Sequence, residues 1–303
     1  MPSTIDGAAL DHVAVAVERW ADAWPRYAVE LGGEWSSGGL NVGFGPAQLR
    51  YANAGRVEIL QPYRPQDNPF LRRFLDRHGP GPHHLTFKVP DLAAALDLAR
   101  DAGFTPVGVD LDNPDWKEAF LHPRQATGIV VQLAQAAYAW ESPPPEGFPT
   151  ERRDPPASLL RVTHAVAELD AGLGLFEVLL GGRRVADGES PERSWQFVDL
   201  EWPGPPALRL VAPHPDTGSA APPGTALRAW LGDLSGRLHH LAFAVAPGER
   251  GAARPGPADG DDLHPRTDVP GLLPSEGPAR VVEPQDNLGT RVVLLGGAQR
   301  SGT

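Results

Sequence analysis

The chain has 303 residues, a formal charge of -11 and no cysteine. That length suits two domains of ordinary size, the negative charge opposes a phosphate backbone, and the lack of cysteine excludes disulfides, thiolate metal ligands and cysteine nucleophiles together. No apolar run approaches the roughly 20 residues a membrane span needs, and the first residues, MPSTIDGAALDH, lack the basic segment and apolar core of a secretory signal. A soluble, cytoplasmic protein is expected, with small-molecule partners and neither nucleic acid nor membrane.

Taken in chain order, LDHVAVAVERWADAWPRYAVELGGEW (10–35) reads as a strand opening on His12, a helical stretch over 18–31 and a glycine cap. GRVEILQP (55–62) reads as a strand, NPFLRRFLDRHGPG as a helix and PHHLTFKV as a second strand with histidine at its start. DLAAALDLARDAGF (91–104) places Leu92, Leu96 and Ala99 at helical spacing, and FLHPRQATGIVVQL (120–133) ends the first half in a turn and a strand. SPPPEGFPTERRDPPAS (142–158), rich in proline and charge, reads as a linker.

Beyond the linker the same order returns. RVTHAVAELDAGLGLFEVLLGGRRV (161–185) parallels 10–35, ALRLVAP (207–213) parallels 55–62 and LHHLAFAV (238–245) parallels the first histidine-pair strand. VVEPQDNLGTRVVLL (281–295) parallels 120–133, with five residues from Pro284 to Gly289 as from Pro123 to Gly128. Each half also splits into two units, each a strand, a helix and further strands. The fold class is therefore α+β, four βαβββ units in tandem, with domains 1–141 and 159–303 flanking the linker at 142–158. In the fourth unit APGERGAARPGPADGDD stands where a helix is due, and an irregular loop is expected there.

Side chains alternate along a strand, so His12 shares a face with Ala14 and Ala16, and His84 with Thr86 and Lys88. Glu58 shares one with Leu60, and Gln132 with Val130 and Ala134. One polar residue at a fixed place in four apolar strands suggests four side chains converging in the hollow of a curved sheet. Two imidazoles, a carboxylate and an amide carbonyl suit one divalent cation of the Mn, Co, Ni, Zn or Fe(II) kind and leave positions open.

At these residues the chain resembles the vicinal oxygen chelate superfamily, which includes the glyoxalases and extradiol dioxygenases; DHVAVAV, VEILQP, NPFLRRFLDRHGPG, HHLTFKVPDLAAAL and FLHPRQATGIVVQL carry the likeness over residues 10–135. Within it the methylmalonyl-CoA epimerases are most similar to the first half. The resemblance implies paired βαβββ units forming a cup around one divalent metal, held by two histidines, a glutamine and a glutamate. Carried across, these fall on His12, Glu58, His84 and Gln132, with the acid and the amide exchanged.

The family's epimerases also take a carboxylate from the second strand of the first unit, where this chain has no acid from Ser36 to Ala52. Glu118 is the nearest acidic candidate for the catalytic base. The second half, aligned by motif, offers His164, Arg209, His240 and Val293. Arginine and valine are not metal ligands, and Val293 stands where a dioxygenase would hold its glutamate, so the second half is expected either to brace the first or to bind an organic or anionic substrate through Arg209.

The leading expectation is thus a metal-dependent isomerase or lyase acting through an enolate on a substrate with two neighbouring oxygens. A metal-free binding protein of the same fold is the alternative, and a dioxygenase the third. Relatives complete their clefts by dimerising, so a homodimer is an expected assembly, as is closure by the second half within one chain.

Overall fold

The computed structural model describes residues 4–214, 225–245 and 268–296. The stretch expected to be an irregular loop, 246–262, lies outside the described residues. The first half contains β1 (Ala9–Ala16), a helix α1 (Trp20–Ala23) that continues as a wider π-turned segment (Trp24–Glu30), β2 (Glu34–Gly38), β3 (Gly43–Arg50), β4 (Arg56–Tyr63), α2 (Phe70–His78), β5 (Gly81–Lys88), α3 (Leu92–Asp101), β6 (Val107–Asp110), β7 (Trp116–Leu121) and β8 (Val130–Ala136). The second contains β9 (Ser158–Val166), α4 (Leu169–Leu173) continuing as a π-turned segment (Gly174–Leu179), β10 (Arg183–Glu189), β11 (Trp195–Glu201), β12 (Ala207–Pro213), α5 (Thr225–Leu231), β13 (Gly236–Val245), β14 (Ala279–Val282) and β15 (Val292–Gly296).

These strands form two mixed sheets, ordered β2-β3-β4-β1-β5-β8-β7-β6 and β10-β11-β12-β9-β13-β15-β14. In the first, β1 and β5 run antiparallel at the centre, and each has a parallel outer neighbour, β4 and β8 respectively. The second repeats this with β9 and β13 at the centre and β12 and β15 outside. Three units follow the strand-helix-three-strand order, whereas the fourth has three strands among the described residues.

The alternation in ALDHVAVA decides how the layers stack. Val13 and Val15 point into a core shared by both sheets, with Leu85, Phe87, Val162, Leu241 and Phe243. Each such fully buried side chain contributes about 1.5–3 kcal/mol relative to exposure. Ala14 and Ala16 face the other way, and their small size admits Leu71 and Leu75 of α2 over Leu60. α2 thereby roofs part of the hollow face of the first sheet. α5 does the same in the second half, packing Leu227 and Leu231 on Ala165, Val211, Trp195 and Phe197.

The halves meet through two matching turns. Gly128, at φ 83°, lies so close to the start of β13 that an added Cβ would stand 1.7 Å from the Gly236 carbonyl oxygen. Gly289, at φ 73°, makes the same approach to Pro80 at 1.8 Å, just before β5. The repeated proline-to-glycine spacing therefore marks two backbone contacts between the halves. Segment 142–158 is packed along the first half: Phe148 sits between Trp24 and Trp35, and the amides of Arg153 and Ala157 donate to Val29 and Leu31.

Candidate metal centre

Register fixes where each polar side chain of the first cup falls. His12 lies opposite Thr86, and Thr86 opposite Gln132, making one row; Glu58 lies beside Ala14, and Ala14 opposite His84, making the next. The two rows bring His12, Glu58 and His84 together so that one ligand atom of each lies within 4.8 Å of the others. Glu58 Oε2 is 3.6 Å from Nε2 of both His12 and His84. All three residues are buried.

Gln132 enters through Thr86. Its amide nitrogen donates to Glu118 Oε2 at 2.7 Å, which turns its carbonyl oxygen toward the Thr86 hydroxyl at 2.6 Å. That hydroxyl is 2.9 Å from His12 Nε2. Glu118 Oε2 also accepts from the Trp116 indole at 2.8 Å. Gln48 of β3 donates to Glu58 Oε1 at 3.3 Å, so an amide occupies the strand on which the sequence showed no acid.

Two β-bulges supply what strand alternation hides. The register slips between Leu10 and His12, so Asp11 is the extra residue and its carboxylate reaches His12 Nδ1 at 2.8 Å. It slips again between Ala14 and Val15, opposite His84 and Pro82, making His83 the extra residue, with its Nδ1 2.8 Å from Nδ1 of His84. The histidine pair is thus a bulge whose first ring braces the second. Asp11 also binds Arg56 at 2.8 Å and Lys88 at 3.2 Å.

These contacts set the protonation states. Burial opposes charge on His12, but the Glu58 carboxylate and Asp11 outweigh it and raise its pKa to about 9. Burial likewise disfavours the Asp11 carboxylate, and the hydrogen bond and charge of His12, with Lys88 and Arg56, overcome it and hold Asp11 below the ordinary carboxylate range. His84 is driven well below its usual value, first by burial and then by His83 and His12, against a smaller upward pull from Gln132. His83 falls to about 4, chiefly through burial.

His84 Nε2 is buried without a hydrogen-bond partner among the described residues. A neutral imidazole with an unused ring nitrogen beside a carboxylate, with a second imidazole that gives up its Nε2 proton when a metal binds, is a donor set that fits a divalent cation. The Asp11–His12 contact is the carboxylate–histidine pairing that orients metal ligands.

Residues 11–120 match the family model of the Glyoxalase/Bleomycin resistance protein/Dioxygenase superfamily. The N-terminal half is similar to the vicinal oxygen chelate superfamily over these residues. A relative of this domain, the ethylmalonyl-CoA/methylmalonyl-CoA epimerase of Cereibacter sphaeroides, is 29% identical over 136 residues, covering 42% of this chain and 96% of that protein. A triple mutant of 4-hydroxymandelate synthase from Streptomyces coelicolor has a similar fold across both halves, covering 81% of this chain and 72% of its own at 20% identity and a TM-score of 0.56. Methylmalonyl-CoA epimerase from Mycobacterium tuberculosis, at 27% identity, covers 46% of this chain and 93% of its own with a TM-score of 0.40.

The second cup has the same frame and opposite chemistry. Arg161 lies opposite Ala242 as His12 lies opposite Thr86, and Arg209 beside Thr163 as Glu58 beside Ala14. His240 and Val293 take the places of His84 and Gln132. The motif alignment of His164 with His12 is therefore corrected: the residue three places earlier, Arg161, is the counterpart, and an odd shift along a strand changes the face. His164 points between the halves, its Nε2 2.8 Å from the Thr127 carbonyl oxygen.

The histidine bulge recurs, with His239 Nδ1 2.8 Å from His240 Nδ1. Here Arg291 donates to His239 Nε2 at 2.9 Å. The neutral His239 ring then carries its proton on Nδ1 and donates to His240, so His240 keeps its own proton on Nε2, 3.0 Å from the Thr163 hydroxyl. That nitrogen has no lone pair for a metal. Arg209, expected as a substrate binder, has Nε and Nη2 on Asp199 at 2.6 Å and Nη1 on the Gly271 carbonyl oxygen at 2.8 Å.

Proposed function

We propose that the chain is a metal-dependent enzyme of isomerase or lyase type, acting in the first cup on a small molecule with two neighbouring oxygens. Residues 1–141 form the domain that carries the site, 142–158 join it to a second domain at 159–303, and His12, Glu58, His84 and Gln132 hold one divalent cation of the Mn, Co, Ni, Zn or Fe(II) kind. Such an ion, when bound, polarises a carbonyl and stabilises the enolate formed from it.

The chain's own groups supply the rest. Asp11 and His83 fix the rings of His12 and His84 through Nδ1, which aims Nε2 of each into the cup. Glu118 has one oxygen held by Trp116 and Gln132, and its Oε1, without a hydrogen bond among the described residues, takes the proton from carbon beside the carbonyl. A proton delivered to the opposite face of that carbon, or to the neighbouring carbon of the enolate, completes an isomerisation; if the enolate's electron pair instead expels a leaving group from the adjacent carbon, the reaction is an elimination. Leu60 and Ala14 under α2 give the cup an apolar wall that excludes water from the exchange.

The observation that carries this reading is the convergence of three ligand atoms within 4.8 Å, one of them a buried nitrogen without a hydrogen-bond partner among the described residues. Likeness to the C. sphaeroides epimerase supports the proton-transfer type. Gln48 on β3 separates this site from an epimerase that works with an acid on that strand.

Elemental analysis of protein purified without chelator tests it: about one divalent ion per chain is expected, lost in His84→Ala and kept in His240→Ala. A chain without metal would leave the cup an apolar pocket for sequestering a ligand, the competing reading. Solvent deuterium entering an acyl thioester or α-hydroxy ketone would then report the proton transfer itself.

A further inference from the structure

The second cup gathers charge where the first gathers ligands. Arg161 and Arg209, whose side chains are 9% and 4% exposed, both point to the Glu276 carboxylate. Arg161 reaches Oε1 with Nη1 and Oε2 with Nη2, the latter at 2.8 Å. Arg209 Nη1 lies 3.2 Å and 3.3 Å from the two oxygens. Both guanidiniums also donate to the Gly271 carbonyl oxygen.

Glu276 does not come from the sheet. It sits on the short 3-10 turn Pro274–Glu276, ahead of β14, and its side chain, at 16% exposure, is the most open member of the cluster's Arg161–Glu276–Arg209 core. The same segment lays Val269 and Leu272 on Ala242 and Val293, the apolar replacements of Thr86 and Gln132. Without Glu276 the sheet would present two guanidiniums against one carboxylate, that of Asp199, leaving a net positive charge in a buried hollow. Arg161 Nε, moreover, is buried and unpartnered among the described residues, so Glu276 leaves one donor of the fork unused.

We propose that the second cup is a carboxylate-binding site for small organic acids, closed in this state by its own tethered ligand, Glu276. The sheet supplies Arg161 and Arg209, which would take an incoming carboxylate on the atoms that now hold Glu276, with Arg161 Nε as an added donor. Exchange of one carboxylate for another keeps both buried guanidiniums paired, which loss of Glu276 alone would not. A tethered group competes at an effective concentration in about the millimolar range. Simple acids below that level therefore leave the wild-type cup closed.

The test is Glu276→Ala titrated with sodium acetate and propionate, against sodium chloride at equal ionic strength. Thermal midpoint and calorimetric binding are read. Expected is a saturable stabilisation with an apparent Kd of about millimolar order, less than one tenth as large in wild type, and absent in the double variant Glu276→Ala with Arg161→Met. An equal response to acetate and chloride, or an equal response of wild type, would overturn the proposal. Should Glu276→Ala not fold in chloride, recovery of folded protein in acetate supports the site. Failure to recover in acetate, with no acetate response from Glu276→Gln, overturns it.

Discussion

Asp11 touches three cationic groups at once, His12 at 2.8 Å, Arg56 at 2.8 Å and Lys88 at 3.2 Å, and its hold on His12 Nδ1 decides which nitrogen faces the cup. Asp11→Asn keeps the shape and removes the charge. Loss of such an orienting carboxylate costs about 10–100-fold in metal affinity. Chelator competition with the zinc-loaded variant is expected to show a dissociation constant raised by that factor while the fold is kept; an unchanged constant would mean that His12 needs no brace. Alternation along β1 assigns Asp11 to the face opposite His12, so sequence pattern alone hides it. The bulge that turns it inward depends on pairing with β5, a partner more than seventy residues away. Strand phase reached His12, Glu58, His84 and Gln132 because each bulge falls just before its histidine, so that a period of two holds from His12 to Ala14 and from His84 to Thr86, as it does around Glu58 and Gln132. Gln48 escaped for a different reason: an amide gives no signal of its own until Glu58 is seen beside it.

The turns that carry Gly128 and Gly289 show how far a repeat can be read at the scale of an element. Their common spacing from proline was visible in the sequence, and it marks turns at matching places in the two sheets. Their burial against β13 and β5 of the opposite half was not visible, since nothing in a local pattern reveals what packs on it. Gly128→Ala would combine a left-handed backbone cost with a contact of 1.7 Å to Gly236 oxygen that only backbone movement can relieve. About 2–4 kcal/mol of destabilisation is expected. Gly103, at φ 88° with nothing within 4 Å of an added Cβ, is the control: its alanine variant carries the conformational cost alone, about 1 kcal/mol. Urea midpoints at constant m-value measure both. Equal losses would show that the turn yields without disturbing the other half. The misplaced alignment of His164 belongs to this scale too: VTHAV looks like DHVAV, yet its histidine is three positions late and so on the other face.

Across the whole molecule, the shared core between the sheets holds titratable groups that only the neutral form suits. His164 is fully buried at that junction, donating through Nε2 to Thr127 of the first half, and burial lowers its pKa to about 4, against a smaller upward pull from that hydrogen bond. In the unfolded chain it returns to about 6.5. Between those values the unfolded state binds a proton that the folded state refuses, so folding stability falls as pH drops from 6.5 toward 4 and is unaffected by this group above 6.5. At about 1.4 kcal/mol for each pH unit, the loss from this one residue is on the order of 3 kcal/mol. His83 and His239, lowered to about 4 and about 3 by burial, bend the same curve in the same direction. His164→Gln keeps a donor for the Thr127 carbonyl and removes the titration. Its urea midpoint is expected to lie close to wild type at pH 7 and to decline less steeply between pH 6.5 and 4. Parallel declines would mean that the junction opens locally and lets His164 take its proton without unfolding, which would make the seam between the two cups the softest part of the protein in acid.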